Sequence, residues 1–411
     1  MPAGVSTTIA PHVVVAGAGP VGCVAAAVLA KNNVRVTLLE AAPSLPVELR
    51  ASTFHPATLE LLRPYGIVDK MVSRGLIARH FAYRDRRSGV VARFDLGELG
   101  DITNYPFRLQ CEQFKLCQIL LEQFASNPLI DVRFSSAIGA VEPRSEGAAA
   151  VLTSGETIEA DAVIGADGAS SAVRKSLGCR FDGMTYADRY LVVSTPYELS
   201  DHLADLSYVN YVSDPDEWMV LLRTVDLWRA LFPVFDGETD EQALSDESAE
   251  RRFQGVVAKP TAYEVAHRTI YRVHQRVADQ FRVGRVVLVG DAAHINNPLG
   301  GMGMNGGVHD AVLLAGGLAG LLHGTVSDER FSEYAELRRR LALDFVQKHT
   351  HANAVTLTAS DPAVRKEALE QMTERAATAG TAHDYMLQAS MIKAVWAMET
   401  ELRDIGAYPF D

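Results

Sequence analysis

The chain has 411 residues, 48% of them hydrophobic and 22% charged, with ordinary glycine and proline counts, a composition that excludes a disordered or fibrous protein. Single cores stop growing near about 250–300 residues, so two interleaved domains are expected. A net charge of -12 excludes a basic face for nucleic-acid phosphates; the run Arg338, Arg339, Arg340 lies in an acid-rich helical context and reads as a solvated face.

In chain order, the first ten residues carry neither a basic stretch nor an apolar run of signal-peptide length, so no export signal is expected. His12–Ala16 is a β-branched run, followed by glycines, an apolar helix over Val21–Ala30 and a second strand over Arg35–Leu39. This is a strand–helix–strand unit of a parallel sheet. Thr58–Leu62 reads as a short helix and Phe114–Phe124 as a longer one. Val132–Ile158 alternates like small antiparallel strands, with turns at 145–147 and 154–155. From about Tyr186 to Tyr271 strand-like pieces dominate, including Tyr208–Ser213 and Met219–Thr224, with an acidic helical insert near Glu238–Phe253. The chain then returns to a buried strand, Arg285–Val289, a glycine-rich loop and the apolar stretch Met302–Leu322. His309 and Asp310 inside that stretch suit a packed internal helix rather than a membrane span. Helix-forming composition continues over Asp328–Leu402. Cys23, Cys111, Cys117 and Cys179 form no Cys-x-x-Cys pair, which points to a reducing cytoplasm.

Gly17-Ala-Gly19-Pro-Val-Gly22 follows the first strand and opens a helix, and Glu40 closes the next strand, the dinucleotide fingerprint in its required context. The first glycine permits the turn, the second lets backbone approach a pyrophosphate, and the third lets helix pack on strand. The helix N-terminus supplies donors and positive dipole to phosphate. Glu40 can accept from a ribose hydroxyl, which suits FAD or NAD better than NADP. Gly301-Met-Gly303-Met-Asn-Gly306 matches the same letters but follows a long loop, and reads as a different device.

Two further segments follow the fingerprint: Asp161-Ala-Val-Ile-Gly165-Ala-Asp167-Gly168-Ala-Ser-Ser-Ala-Val-Arg174, and Gly284-Arg-Val-Val-Leu-Val-Gly290-Asp291-Ala-Ala-His294 with Pro298-Leu-Gly300-Gly301-Met-Gly303-Met-Asn305. In this order, over residues 12 to 310, the three motifs resemble those of the para-hydroxybenzoate-hydroxylase-type (group A) FAD-dependent aromatic monooxygenases. The resemblance implies an α/β fold, with a Rossmann-like FAD-binding domain, an interleaved β-sheet substrate domain and C-terminal helices. The expected bounds are 1–180 for the first part of the FAD domain, with a small sheet insert near 75–108, then 181–275 for the sheet domain, 276–345 for the second FAD part and 346–411 for the helices.

The resemblance also implies roles. Asp291 would hold a ribitol hydroxyl, and Asp167 would lie near both FAD and the path of the nicotinamide donor, with plain turn or cap chemistry as the alternative for both acids. Arg50 would contact the pyrophosphate, where a fixed guanidinium suits a diphosphate. Gln113 would sit beside the adenosine and ribitol part, with Gln110 as a competing alignment. The loop from Pro298 through Gly301, Gly303, Met304 and Asn305 would set backbone N–H groups near the flavin N1 and C2 carbonyl; Met302 stands where glutamine is frequent in the family. Tyr208, Tyr211, Met219, Leu221 and Arg223 lie on two facing strands that would wall the substrate. Pro298, Tyr211 and Arg223 are the residues expected at the reacting centre, and an inward Arg223 would favour an anionic or phenolate substrate.

The activity implied is single-component monooxygenation. NADH or NADPH reduces FAD, reduced flavin and O2 give a C4a-hydroperoxide, and its terminal oxygen passes to an electron-rich aromatic or heteroaromatic ring. An FAD-dependent reductase or epoxidase acting on a lipid-like or polyketide substrate is the alternative reading. His349 and His351 face apart on a helix, and no Cys or carboxylate cluster completes a metal site. No Gly-x-Ser-x-Gly elbow or phosphate loop is present. The partners expected are a small aromatic substrate and O2, without nucleic acid or integral membrane association. The C-terminal helices would pack on the FAD domain or on a second subunit of a homodimer, and no further thioredoxin-like domain is expected.

Overall fold

The computed structural model describes residues 10–404 except Glu48 and Ser360. The expectation about an export signal rests on the first ten residues, of which 1–9 lie outside the described residues. The first unit folds as its sequence dictates. Val13–Ala16 are wholly buried because the strand His12–Ala16 is flanked on both sides by parallel neighbours, Arg35–Leu39 and Ala162–Gly165. A strand covered on both faces needs a continuous rather than alternating apolar run. Val286–Leu288 pairs parallel beyond Ala162–Gly165, and Ile130–Arg133 beyond Arg35–Leu39. Antiparallel Arg282–Val283 completes a six-stranded sheet.

Val132 therefore belongs to an edge strand of the parallel sheet. The antiparallel meander expected from that point begins only at Ile138, with strands Ile138–Arg144, Gly147–Leu152 and Thr157–Ala160. Against the sheet lie the fingerprint helix Pro20–Lys31 and the long helix Gly303–Leu322, which contact each other. Glycine in the long helix allows that closeness, since a Cβ at Gly307 would come within 2.7 Å of the Val21 side chain of the fingerprint helix and 2.9 Å of the Gly290 Cα. Among the described residues no helix is long and apolar enough to cross a membrane.

The second sheet has eight strands, in the order His294–Ile295, His267–Ala278, Phe181–Thr195, Trp228–Pro233, Met219–Arg223, Val209–Ser213, His80–Asp85 and Gly89–Asp95. The strands expected as a separate small insert thus extend this sheet. His80–Asp85 pairs parallel with Val209–Ser213, which buries Phe81 and Tyr83. Side chains alternate across the sheet. Leu191, Val193, Met219, Leu221 and Phe232 pack under the acidic helices Asp240–Ala243 and Asp246–Val256, whereas Val192, Val209, Tyr211, Val220, Leu222 and Leu231 face the nucleotide-type domain.

The C-terminal region is helical over Asp328–Leu341, Lys348–Thr358, Pro362–Ala377, Ala379–Ala389 and Ile392–Asp404, with a π-helical turn at Ala342–Gln347. Tyr385, Met386 and Met391 share a core with Phe81 and Phe94 of the second sheet. The arginine run departs from its expected solvated face. Arg338 is buried and pairs with Asp310, Arg339 donates to the Ala278 carbonyl, and Arg340 pairs with Glu401 at the surface. Helical rotation puts consecutive arginines on different sides, and the side bearing Tyr334 and Leu341 faces the core.

Candidate active site

One cavity of about 440 Å³ runs between the two sheets, from Gly19, Pro20 and Val21 at the fingerprint to the apolar face of the second sheet. That volume lies within the range of small-molecule sites. Its fingerprint end is built by backbone. Gly17 has φ +98°, a left-handed conformation that favours glycine, and a Cβ there would lie 2.5 Å from the Ala166 carbonyl oxygen. A Cβ on Gly22 would lie 1.9 Å from the Gly17 oxygen, so the third glycine sets how closely the helix approaches the turn. Above Gly19 the space is open: a Cβ would meet nothing within 4 Å.

Glu40 stands beside this turn. Its carboxylate accepts from the backbone N–H of Ala18 and of Ala42, each at 3.0 Å, which orients it while leaving lone pairs for a ligand hydroxyl. Arg50 and Gln113 line the cavity directly. Gln110 does not: its Oε1 accepts from Thr53 at 2.9 Å. The segment carrying Arg50 is held by Arg229, which donates to the carbonyls of Leu49 and Arg50.

Asp291 follows the strand Val286–Leu288 and opens into the cavity. Enclosure by protein pushes its carboxyl above the usual aspartate range, against the pull of His294 and Arg50. Its mount lies behind it. Asp310 accepts from the Gly290 N–H at 3.0 Å, from His294 Nε2 at 2.7 Å and from Arg338 Nε at 2.7 Å. Burial alone would raise the Asp310 pKa, but His294 and Arg338 outweigh it and hold the carboxyl below its usual range.

Pro298, Gly301, Gly303 and Met304 line the cavity, and Gly303 begins the long helix. The first intrahelical bond there is Gly306 N–H to Met302 O, so the N–H groups of the first turn remain available to a ligand. Met302 is buried away from the cavity in the core shared with the C-terminal helices. Asn305, also expected to bind cofactor, turns its side chain elsewhere. It accepts from the His55 N–H at 3.0 Å and donates to the carbonyls of Thr53 and Gly301 at 2.8 and 2.6 Å, stapling the glycine loop to the strand Thr53–Phe54. Asp167 likewise caps the short helix Ala172–Ser176, accepting from Ala172 N–H at 2.7 Å and Val173 N–H at 3.1 Å. Its neighbours Ala166 and Gly168, rather than its carboxylate, reach the cavity.

At the sheet end, Tyr211 lines the cavity and Arg223 does not. Arg223 pairs with Glu198 at 3.0 Å on the opposite face. Register decides this, because Tyr211 sits opposite Val220, which puts even-numbered residues of Met219–Arg223 on the cavity side. Met219 and Leu221 are accordingly core, and Tyr208 is at the surface. Two buried arginines that sequence reasoning missed, Arg108 and Arg229, line the cavity. Arg229 carried a readable signal, since in Trp228–Pro233 it alternates with Ala230 and shares a face with Leu231. Arg108 in the three-residue strand Arg108–Gln110 carried none. Among the described residues no three His, Cys, Asp or Glu side chains gather where they could hold a metal.

Residues 11–349 match a family described as FAD binding domain. The chain is 34% identical over 366 residues to para-nitrophenol 4-monooxygenase of Pseudomonas sp. (strain WBC-3), across 86% of this chain and 89% of that protein. It is 33% identical over 360 residues to 6-hydroxy-3-succinoylpyridine 3-monooxygenase HspB of Pseudomonas putida (strain DSM 28022 / S16), across 85% and 90% of the two chains. The crystal structure of p-nitrophenol 4-monooxygenase from Pseudomonas putida DLL-E4 superposes with a TM-score of 0.87 at 30% identity, across 93% of this chain and 98% of that one.

Proposed function

The chain belongs to the FAD binding domain family that includes group A aromatic monooxygenases, and from that membership we propose that it is a single-component monooxygenase using NADH or NADPH and O2 to hydroxylate a small phenolic ring. The observation that carries the reading is the single cavity that joins a dinucleotide fingerprint to an apolar wall bearing Tyr211 and a buried arginine.

The residues present fit FAD. The open space at Gly19 accommodates a pyrophosphate, and Arg50 supplies charge beside it. The oriented Glu40 carboxylate suits the adenosine ribose. Asp291 points into the cavity with no hydrogen bond to protein among the described residues, as a carboxylate reserved for a ribitol hydroxyl would. Gln113 lies along the same wall. The free N–H groups of Gly303, Met304 and Asn305, with the positive end of a 20-residue helix behind them, suit the electron-rich edge of a flavin ring. Asp167 acts here by fixing the Ala166–Gly168 backbone through its cap.

FAD, when bound, supplies the electron transfer and oxygen activation. The chain contributes position and exclusion. Val192, Val209, Val220, Leu222 and Leu231 make a dry wall against which a ring packs. Tyr211 and Arg108 supply polar contacts in the same cavity, and Pro298 and Leu299 complete its lining.

The test is oxidation of NADH and of NADPH by the flavin-loaded protein against a panel of phenols, hydroxybenzoates and hydroxypyridines. At least one compound is expected to accelerate oxidation and to be recovered with one added oxygen. Failure of every compound, with flavin bound throughout, contradicts the proposal.

A further inference from the structure

Arg108 is 3% exposed, and its contacts are all to uncharged groups. Nη1 donates to the Tyr211 hydroxyl and Nη2 to the Ala389 carbonyl, each at 3.4 Å, and the guanidinium stands 4.1 Å from the centre of the Phe81 ring. Its Nε is buried without a partner. Ala389 ends the helix Ala379–Ala389, so the negative end of that helix dipole faces the cation, yet it carries only about half an elementary charge. No carboxylate pairs with Arg108 among the described residues.

The titratable groups around it leave the charge standing. Burial, and then the charge of Arg108 itself, lower the pKa values of His55 and His349, so both rings are neutral. Burial pushes the Tyr83 phenol up and that of Tyr385 up to about 12, so both stay protonated while sharing a 2.8 Å hydrogen bond. Arg375 adds positive charge over Tyr385. The other buried arginine of the cavity differs, because both terminal nitrogens of Arg229 are committed to the loop carbonyls of Leu49 and Arg50.

A buried cation without a counter-charge is costly, and here it borders a cavity beside an aromatic hydroxyl that can rotate to donate. We propose that Arg108, with Tyr211, anchors the anionic oxygen of the substrate, so that the ring binds as a phenolate and not as the neutral phenol. The C-terminal helices thereby act on the site: Ala389 and the Tyr385–Tyr83 pair, on which Tyr211 stacks at 4.9 Å, position the anchor. This rests on the aromatic-monooxygenase reading above.

Binding is read, without turnover, from the absorbance change of bound oxidised flavin. The probes are 4-nitrophenol at mildly alkaline pH, where it is ionised, its neutral methyl ether 4-nitroanisole, and 4-nitrobenzoate. The wild-type protein is expected to bind the phenolate about 10- to 100-fold tighter than the ether, the range of a hydrogen bond to a charged group. Arg108→Gln should erase that preference while leaving ether binding unchanged, and Arg108→Lys should restore part of it. Equal wild-type affinity for phenolate and ether overturns the proposal whether or not the variants fold, as does an unaltered preference in flavin-loaded Arg108→Gln. Tighter binding of 4-nitrobenzoate than of the phenolate overturns the assignment to phenolate. Retained discrimination without any oxygenated product would instead sink the monooxygenase reading and leave the anchor in place.

Discussion

Asp291 and Arg223 show how much a single side chain's direction decides. Asp291 opens toward the cavity without a protein hydrogen bond among the described residues, so Asp291→Ala should cost FAD a charge-assisted contact of about 1.5–3 kcal/mol, roughly 10- to 100-fold in affinity. Flavin retained through gel filtration measures this, and full retention would remove Asp291 from the cofactor site. That Asp291 lies at a strand's end beside the cavity was legible in the sequence, because strand, turn and acid are neighbours in the chain, but the same pattern at Asp167 ends in a helix cap. Arg223 was not, because its face depends on a register set by the turn between Ser213 and Met219, and one residue of slip reverses every side chain. Arg108 was invisible for a related reason: its cavity is made by residues more than a hundred positions away, such as Tyr211 and Ala389.

At the scale of elements, the local strand–helix–strand unit could be read almost to the residue, since each piece carries its own period and its turn chemistry lies within it. The parallel pairing of His80–Asp85 with Val209–Ser213 could not, because nothing local encodes a partner that far along the chain. The arginine run failed differently. Charge composition suggested solvent, but Asp310 lies within the apolar helix and needs a buried cation, which Arg338 supplies. Removing one partner of such a pair leaves an uncompensated charge. Arg338→Leu should cost about 3–5 kcal/mol in urea unfolding and loosen the Gly290–Asp291 turn that Asp310 holds, so flavin retention should fall with it. Unchanged stability would mean that Asp310 and His294 need no third member. Asn305→Ala, which strips the staple between the glycine loop and Thr53–His55, should cost about 1–3 kcal/mol by the same assay.

Across the whole molecule, imidazoles are buried within helices, His309 in Gly303–Leu322 and His349 in Lys348–Thr358. Burial, then Arg338, holds His309 at about 3, and burial, then Arg108, holds His349 at about 4, against an ordinary 6.5. The unfolded chain therefore takes up protons that the folded one refuses. Their contribution is complete above about pH 6.5 and is lost as pH falls toward the folded values, with a slope of up to about 1.4 kcal/mol per pH unit for each ring. Urea unfolding between neutral pH and about pH 5 should show that loss, and His309→Gln should flatten the slope by about one ring's share. The packing of these helices also sets the functional claim, since the fingerprint, the Gly290–Asp291 turn and the apolar wall meet only when both sheets and the C-terminal helices are in place. The most direct test is isotopic: turnover under 18O2 with NADH or NADPH and the phenol that most accelerates oxidation. One 18O atom in each molecule of hydroxylated product is the result expected of a monooxygenase. Product oxygen drawn from water, or NAD(P)H consumed with hydrogen peroxide alone and no labelled product, would contradict it.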